Sequence, residues 1–181
     1  MFINFAILAA VAATSAMARP TIRENVGASG VQPVQWQITA PDGSLKCLDV
    51  KDGALENGTP VQLWDCIDGN TNQIWTKSIT SGIGPIELKG TPFCLDAGDN
   101  PGDQSQLRIW DCYSGLPQQQ FKVQGDTLQV ADKNLCVDVP VVSIYEDGTS
   151  MQVFTCFANN DQQKWTPKVV GPTYWPARGG D

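Results

Sequence analysis

The sequence predicts an all-β fold built from three copies of one unit, and three observations carry that reading. The stretch from Cys47 to Trp75, CLDVKDGALENGTPVQLWDCIDGNTNQIW, recurs as CLDAGDNPGDQSQLRIWDCYSGLPQQQF from Cys94 to Phe121 and as CVDVPVVSIYEDGTSMQVFTCFANNDQQKW from Cys136 to Trp165. Each copy sets an Asp two residues after its first cysteine (Asp49, Asp96, Asp138) and an aromatic two before its second (Trp64, Trp110, Phe154). Each then closes on Gln-x-aromatic, nine residues after the second cysteine. The closing aromatics Trp75, Phe121 and Trp165 stand 46 and 44 residues apart, which is room for four short strands of about 5–6 residues and their turns.

In the first repeat the strands are expected over Val34–Thr39, Leu48–Val50, Val61–Trp64 and Gln73–Lys77, with turns at Asp42-Gly43, Asp52-Gly53 and Asn57-Gly58. The second repeat follows with Ile86–Leu88, Cys94–Asp96, Leu107–Trp110 and Gln120–Gln124, and the third with Leu128–Val130, Cys136–Val139, Met151–Phe154 and Lys164–Val169. No helix is expected. Twelve strands without helices must close or stack to remove their edges, and the β-trefoil, a six-stranded barrel capped by three hairpins, is the closure with pseudo-three-fold symmetry.

A chain of 181 residues fits one domain with a real core. Residues 2 to 18, FINFAILAAVAATSAMA, are apolar, too short for a membrane span of about 20 residues, and end in the small-x-small pattern Ala16-Met17-Ala18. A secretory signal peptide over 1–18 is expected, with a secreted, extracellular mature protein that does not insert in a membrane. Residues 19–33 read as a flexible lead-in, 34–170 as the trefoil domain, and 171–181 as a tail in which Tyr174 and Trp175 clip back on the barrel.

Six cysteines fit an oxidising compartment. With no His and no Cys-x-x-Cys pair, they do not form a zinc site, and no metal or other cofactor is expected. Of the fifteen possible pairings, the repeat symmetry favours one disulfide inside each unit: Cys47–Cys66, Cys94–Cys112 and Cys136–Cys156. In the chain-entropy model each contributes roughly 3 kcal/mol. The formal net charge of −7 repels a phosphate backbone, so nucleic acid is not expected as a partner. Asn57-Gly58-Thr59 is a sequon at an expected turn, and Asn57 is expected to carry a glycan in a eukaryotic secretory pathway.

Alternation along the strands separates core from site. Val61 and Leu63 share one face, Gln62 and Trp64 the other; Leu48 and Val50 point inward and Asp49 outward. In the third repeat Met151, Val153, Val137 and Val139 take the core side, against Gln152, Phe154 and Asp138. In the second, Leu107 and Ile109 oppose Arg108 and Trp110, so Arg stands where the other repeats have an amide. An exposed flat aromatic beside a carboxylate and amides suits a sugar: the ring covers the C–H face of a pyranose while the polar groups bond its hydroxyls. Trp75, Phe121 and Trp165 read as core. Gln73, Gln119 and Gln163 read either as contact residues or as partners of buried backbone groups. The three Asp residues read either as turn carboxylates or, in the first and third repeats, as site residues.

These repeats, covering roughly Val34 to Val170, resemble the ricin-B-type β-trefoil lectins with their Q-x-W signature. The resemblance implies binding of galactose-type or related sugars on glycans, glycoproteins or polysaccharides. It also implies a competent repeat made of an early Asp, a Gln and stacking aromatic on the third strand, and an Asn before Q-x-W. Asp49, Gln62, Trp64 and Asn72 match all four, and Gln73 assists. The third repeat keeps Asp138, Gln152 and Phe154 but has Gln162 in place of the Asn. The second keeps Asp96 and Trp110 but departs at Arg108 and Gln118, and is expected to be weak or silent. An enzyme is not expected, because no nucleophile with a neighbouring base is present and the carboxylates fall at repeat-equivalent binding positions. The alternative is a trefoil protease inhibitor or effector acting through an exposed loop, which has no need of a converging Asp, Gln and aromatic.

Overall fold

The computed structural model describes residues 31–78, 82–140 and 145–171. The expected signal peptide, residues 19–30 of the lead-in, and the tail from 172 onward with Tyr174 and Trp175 lie outside them. Among the described residues are fourteen strands and no α-helix.

The first repeat supplies β1 (Val31–Thr39), β2 (Leu45–Val50), β3 (Val61–Asp65) and β4 (Trp75–Ser78). The second supplies β5 (Ile83–Gly84), β6 (Ile86–Leu88), β7 (Phe93–Asp96), β8 (Ser105–Gln106), β9 (Arg108–Asp111) and β10 (Phe121–Gln124). The third supplies β11 (Thr127–Val130), β12 (Leu135–Asp138), β13 (Gln152–Thr155) and β14 (Thr166–Val169). The twelve expected strands are present, and β5 and β8 are two short additions. β14 pairs antiparallel with β1, Val34 opposite Val169 and Gln37 opposite Thr166, so the last repeat returns to the first and covers its edge.

Five expected strand starts shift later by one or two residues, for two reasons. The closing strands begin at Trp75, Phe121 and Thr166 because the residues before them, Thr71–Gln73, Pro117–Gln119 and Asp161–Gln163, wind into single 3-10 turns. In two of these the side chain of Asn70 or Asn160 accepts the N–H of Asn72 or Gln162, each at 3.1 Å, as capping asparagines do. β9 and β13 begin one residue late because Leu107 and Met151 direct their backbones across the repeats. Val61 N–H donates to Leu107 O at 3.0 Å, Leu107 N–H to Met151 O at 2.9 Å, and Met151 N–H to Val61 O at 2.9 Å. That closed triangle of hydrogen bonds joins the three units, and all three side chains are fully buried.

A second ring of contacts runs the same way around. Asn57 Oδ1 accepts the Asp111 N–H at 2.7 Å while its Nδ2 donates to Asp111 Oδ2 at 2.7 Å. Asp103 Oδ1 accepts from Thr155 N and Oγ1 at 2.6 and 2.8 Å. Asp147 Oδ1 accepts the Asp65 N–H at 2.8 Å and Lys46 Nζ at 2.7 Å. Each hairpin tip is thereby tied to the third strand of the next repeat.

The core holds the inward residues of the alternation, including Leu48, Leu63, Leu95, Ile109 and Val137, and beneath the closing turns the fully buried Trp75, Phe121 and Trp165. The indole N–H groups of Trp75 and Trp165 donate to Leu48 O and Val137 O at 3.1 and 3.0 Å. Trp36 Nε1, buried on β1, has no partner among the described residues. The three disulfides pair as expected, each with Cα atoms 5.1 Å apart.

Candidate functional site

Register brings the site residues together. Asp49 faces Gln62 across β2 and β3, with Cys47 opposite Trp64; Asp138 faces Gln152, with Cys136 opposite Phe154; Asp96 faces Arg108, with Cys94 opposite Trp110. Directly opposed residues of an antiparallel pair share a face, so each carboxylate meets the residue two before the aromatic.

In the first repeat Asp49 Oδ1 accepts Gln62 Nε2 at 2.9 Å, and Oδ2 accepts Gln73 Nε2 at 3.1 Å and Asn70 Nδ2 at 3.4 Å. Asp49 and Gln62 lie on the outer face, as alternation requires, but they are not open to solvent: each is only 4% exposed. The 3-10 turn Thr71–Gln73 meets Asp49 through Gln73, and Ser150 of the third repeat pairs with Gln62. Burial pushes the Asp49 carboxyl above its ordinary value, against the lowering effect of the bonds from Gln62, Gln73 and Asn70.

Gln73, named among the contact residues, is bonded into the frame beneath the site. It is fully buried; its Oε1 accepts the Ile67 N–H at 2.9 Å and its Nε2 donates to Asp65 O at 2.9 Å as well as to Asp49. Gln119 and Gln163 repeat this pattern on Tyr113 and Asp111, and on Phe157 and Thr155. Of the two readings open for these glutamines, the structure supports partnering of buried backbone groups, and it adds a grip on the site carboxylate.

Two further side chains border the first site, Trp64 and Asn72. Trp64 is 37% exposed, and its indole lies over Gly148 of the third repeat, where an added methyl would stand 4.0 Å from Cζ3. Asn72 is half-buried and its side chain makes no hydrogen bond among the described residues. It stands against Gly53, where an added Cβ would come within 2.9 Å of Nδ2. Gly53 is in the left-handed region at φ 63, so the backbone favours glycine there, and a side chain at that position would displace the Asn72 amide. Asn70 and Gly148 are absent from the sequence reading, and Gly53 figures there as a turn residue only; Asn70 lies two residues from the expected Asn and Gly148 in another repeat.

The third repeat reproduces the arrangement in part. Asp138 Oδ1 accepts Gln152 Nε2 at 2.7 Å and Oδ2 accepts Gln163 Nε2 at 3.0 Å, and burial raises its carboxyl too. Phe154 and Gln162 are half-buried at the expected places. In the second repeat the carboxylate is paired with a cation of its own repeat. Arg108 Nε donates to Asp96 Oδ1 at 3.1 Å, the Gly98 N–H to the same oxygen at 2.8 Å, and Gln119 Nε2 to Oδ2 at 3.1 Å. The Arg108 guanidinium lies over the Trp110 ring, 4.6 Å from its centroid, and Gln118 donates to Asp99 at 3.1 Å.

Three disulfide-pinned repeats, each with a carboxylate beside an aromatic, define a β-trefoil of the sugar-binding class. The model of the ricin-type beta-trefoil lectin domain matches residues 35–165. The chain belongs to that family, whose domain is carbohydrate-binding and non-catalytic. Among curated proteins, Agglutinin-1 of Abrus precatorius is 39% identical over 72 residues, a stretch that spans 39% of this chain and 12% of that protein. Among solved structures, the designed three-fold symmetric protein ThreeFoil is similar with a TM-score of 0.63 at 22% identity, covering 75% of this chain and 96% of that one. The C-half of an earthworm R-type lectin, solved in complex with GalNAc, gives 0.61 at 22% identity, covering 76% and 98%.

Proposed function

We propose that this protein is a secreted lectin that recognises galactose-type sugars on glycans, mainly through Asp49, Gln62, Trp64 and Asn72. The observation that carries the reading is the contrast in what the carboxylates hold. Asp49 is fixed by amides that leave the Trp64 face and the Asn72 amide uncovered, whereas Asp96 is neutralised by an arginine lying on Trp110. The third repeat, with Asp138, Gln152 and Phe154, is the weaker second site. GalNAc in the earthworm lectin supports a galactose-type preference.

A sugar hydroxyl donating to Asp49 makes a charge-assisted bond, and the pyranose C–H face lies on Trp64. Two unequal sites on one rigid domain give avidity toward a glycan-coated surface, where the second contact forms at high effective concentration. Secretion and a glycan at Asn57 belong to the same reading. Asn57 is exposed and uses one Nδ2 hydrogen on Asp111, and intact-mass measurement of protein from a eukaryotic host tests the modification. Titration calorimetry with galactose and GalNAc tests the function; absence of heat with both, at millimolar sugar, rejects it.

A further inference from the structure

The third repeat carries a second aromatic ring that no role above uses. Phe157, directly after Cys156, is 56% exposed, and its ring centroid lies 6.3 Å from that of Phe154 with the planes inclined at 34°. An exposed phenylalanine is ordinary by itself. This one is anchored to the site: its N–H donates to Gln163 Oε1 at 3.0 Å, and Nε2 of the same buried amide donates to Asp138 Oδ2 at 3.0 Å. One side chain therefore fixes the backbone of Phe157 relative to the carboxylate. Phe157 also lines a cleft of about 430 Å³ together with Lys122, Gln124, Thr127 and Asn134, a size within the roughly 300–1,000 Å³ of ligand pockets. Phe154 does not reach that cleft, so Phe157 borders both.

We propose that Phe157 and this cleft form a second sugar subsite continuous with the third-repeat site, so that this repeat takes a galactose-containing disaccharide or longer glycan in preference to a lone monosaccharide. The proposal rests on the reading of Asp138, Gln152 and Phe154 as a sugar site. A second pyranose matches what the cleft offers: an aromatic ring for its C–H groups, and amide, hydroxyl and ammonium groups for its hydroxyls. An apolar peptide segment would bury those polar groups without partners. The equivalent positions differ: Ile67 in the first repeat is exposed but has no flat face, and Tyr113 in the second flanks a site already filled by Arg108.

The test is calorimetric titration of the full chain carrying Asp49→Ala, which disables the first repeat, with galactose, lactose and melibiose. At least one disaccharide is expected to bind about two- to tenfold more tightly than galactose. Adding Phe157→Ala is expected to abolish that advantage while galactose affinity stays the same, and Phe157→Tyr to retain it. An advantage that survives Phe157→Ala overturns the subsite. So does a parallel loss of galactose binding, which would make Phe157 a prop for Phe154. If the unsubstituted protein binds galactose and the Asp49→Ala protein binds none of the three, the third-repeat subsite alone falls; if the unsubstituted protein binds none, the galactose reading falls with it.

Discussion

In the first repeat Asp49 faces Gln62 across two strands, and in the second Asp96 faces Arg108 in the same register. The backbone, the disulfide and the gripping glutamine are alike in both. The main difference is the charge of the side chain opposite the carboxylate, with Gln118 and Leu116 standing where the first repeat has Asn72 and Asn70. An amide opposite the carboxylate donates a hydrogen bond but brings no positive charge, so the net negative charge is left for a ligand hydroxyl. A guanidinium satisfies that charge itself and has the length to lie back over the adjacent indole. One trefoil unit is thus an open site or a filled one, and its barrel contribution is unaffected, because the inward neighbours Leu63 and Ile109 are buried in both.

The largest expected effects break the comparison from the open side. Asp49→Ala should weaken galactose binding by about ten- to a hundredfold, the weight of a charge-assisted hydrogen bond of about 1.5–3 kcal/mol. Trp64→Ala should cost at least as much. Asp96→Ala, in calorimetry under the same conditions, should leave affinity within about twofold, since no ligand hydroxyl meets that carboxylate.

A middle-sized effect sharpens it from the closed side. Arg108→Gln combined with Gln118→Asn gives the second repeat the polar set of the first and uncovers Trp110. An added weak binding event, seen as increased stoichiometry in the titration, is expected; unchanged stoichiometry would mean that the surrounding loops, not Arg108, close the site.

Acidification separates the repeats by chemistry. Burial holds the folded Asp49 carboxyl above 3.8, so the folded protein takes up this proton at a higher pH than the unfolded chain. The cost of burying the charged form therefore grows as pH rises through the window from 3.8 up to the folded value, and disappears below it. Binding runs the opposite way: galactose affinity should fall as pH drops through the raised folded value, above the range of an exposed Asp. Titrations at stepped pH, with circular dichroism to verify folding, read the midpoint.

The smallest expected effect concerns the frame. Trp75→Phe strands the buried carbonyl of Leu48, whereas Trp36→Phe removes an indole N–H that has no partner among the described residues. Both lose volume, but Trp75→Phe should be the more destabilising by about 1 kcal/mol in denaturant unfolding.

Much of this was legible in the sequence. Fixed cysteine, Asp and aromatic offsets mark the repeats, and period-two alternation assigns Leu48 and Leu63 to the core and Asp49 and Gln62 to the other face. Burial of those polar residues was not legible, because alternation reports which face a residue is on and not what folds over it. The contact of the 3-10 turn with Asp49 through Gln73 depends on residues 24 positions apart meeting in space. Gly148 beneath Trp64, and the ties from Asn57, Asp103 and Asp147, join neighbouring repeats and have no mark within any one of them.

The most direct test of the contrast between repeats is a galactose titration followed by the indole resonances of Trp64 and Trp110 in a 15N-labelled protein, assigned by Trp64→Phe and Trp110→Phe. The Trp64 signal is expected to shift progressively to saturation while Trp110 stays in place. A shift of Trp110 with Trp64 unmoved would contradict the account.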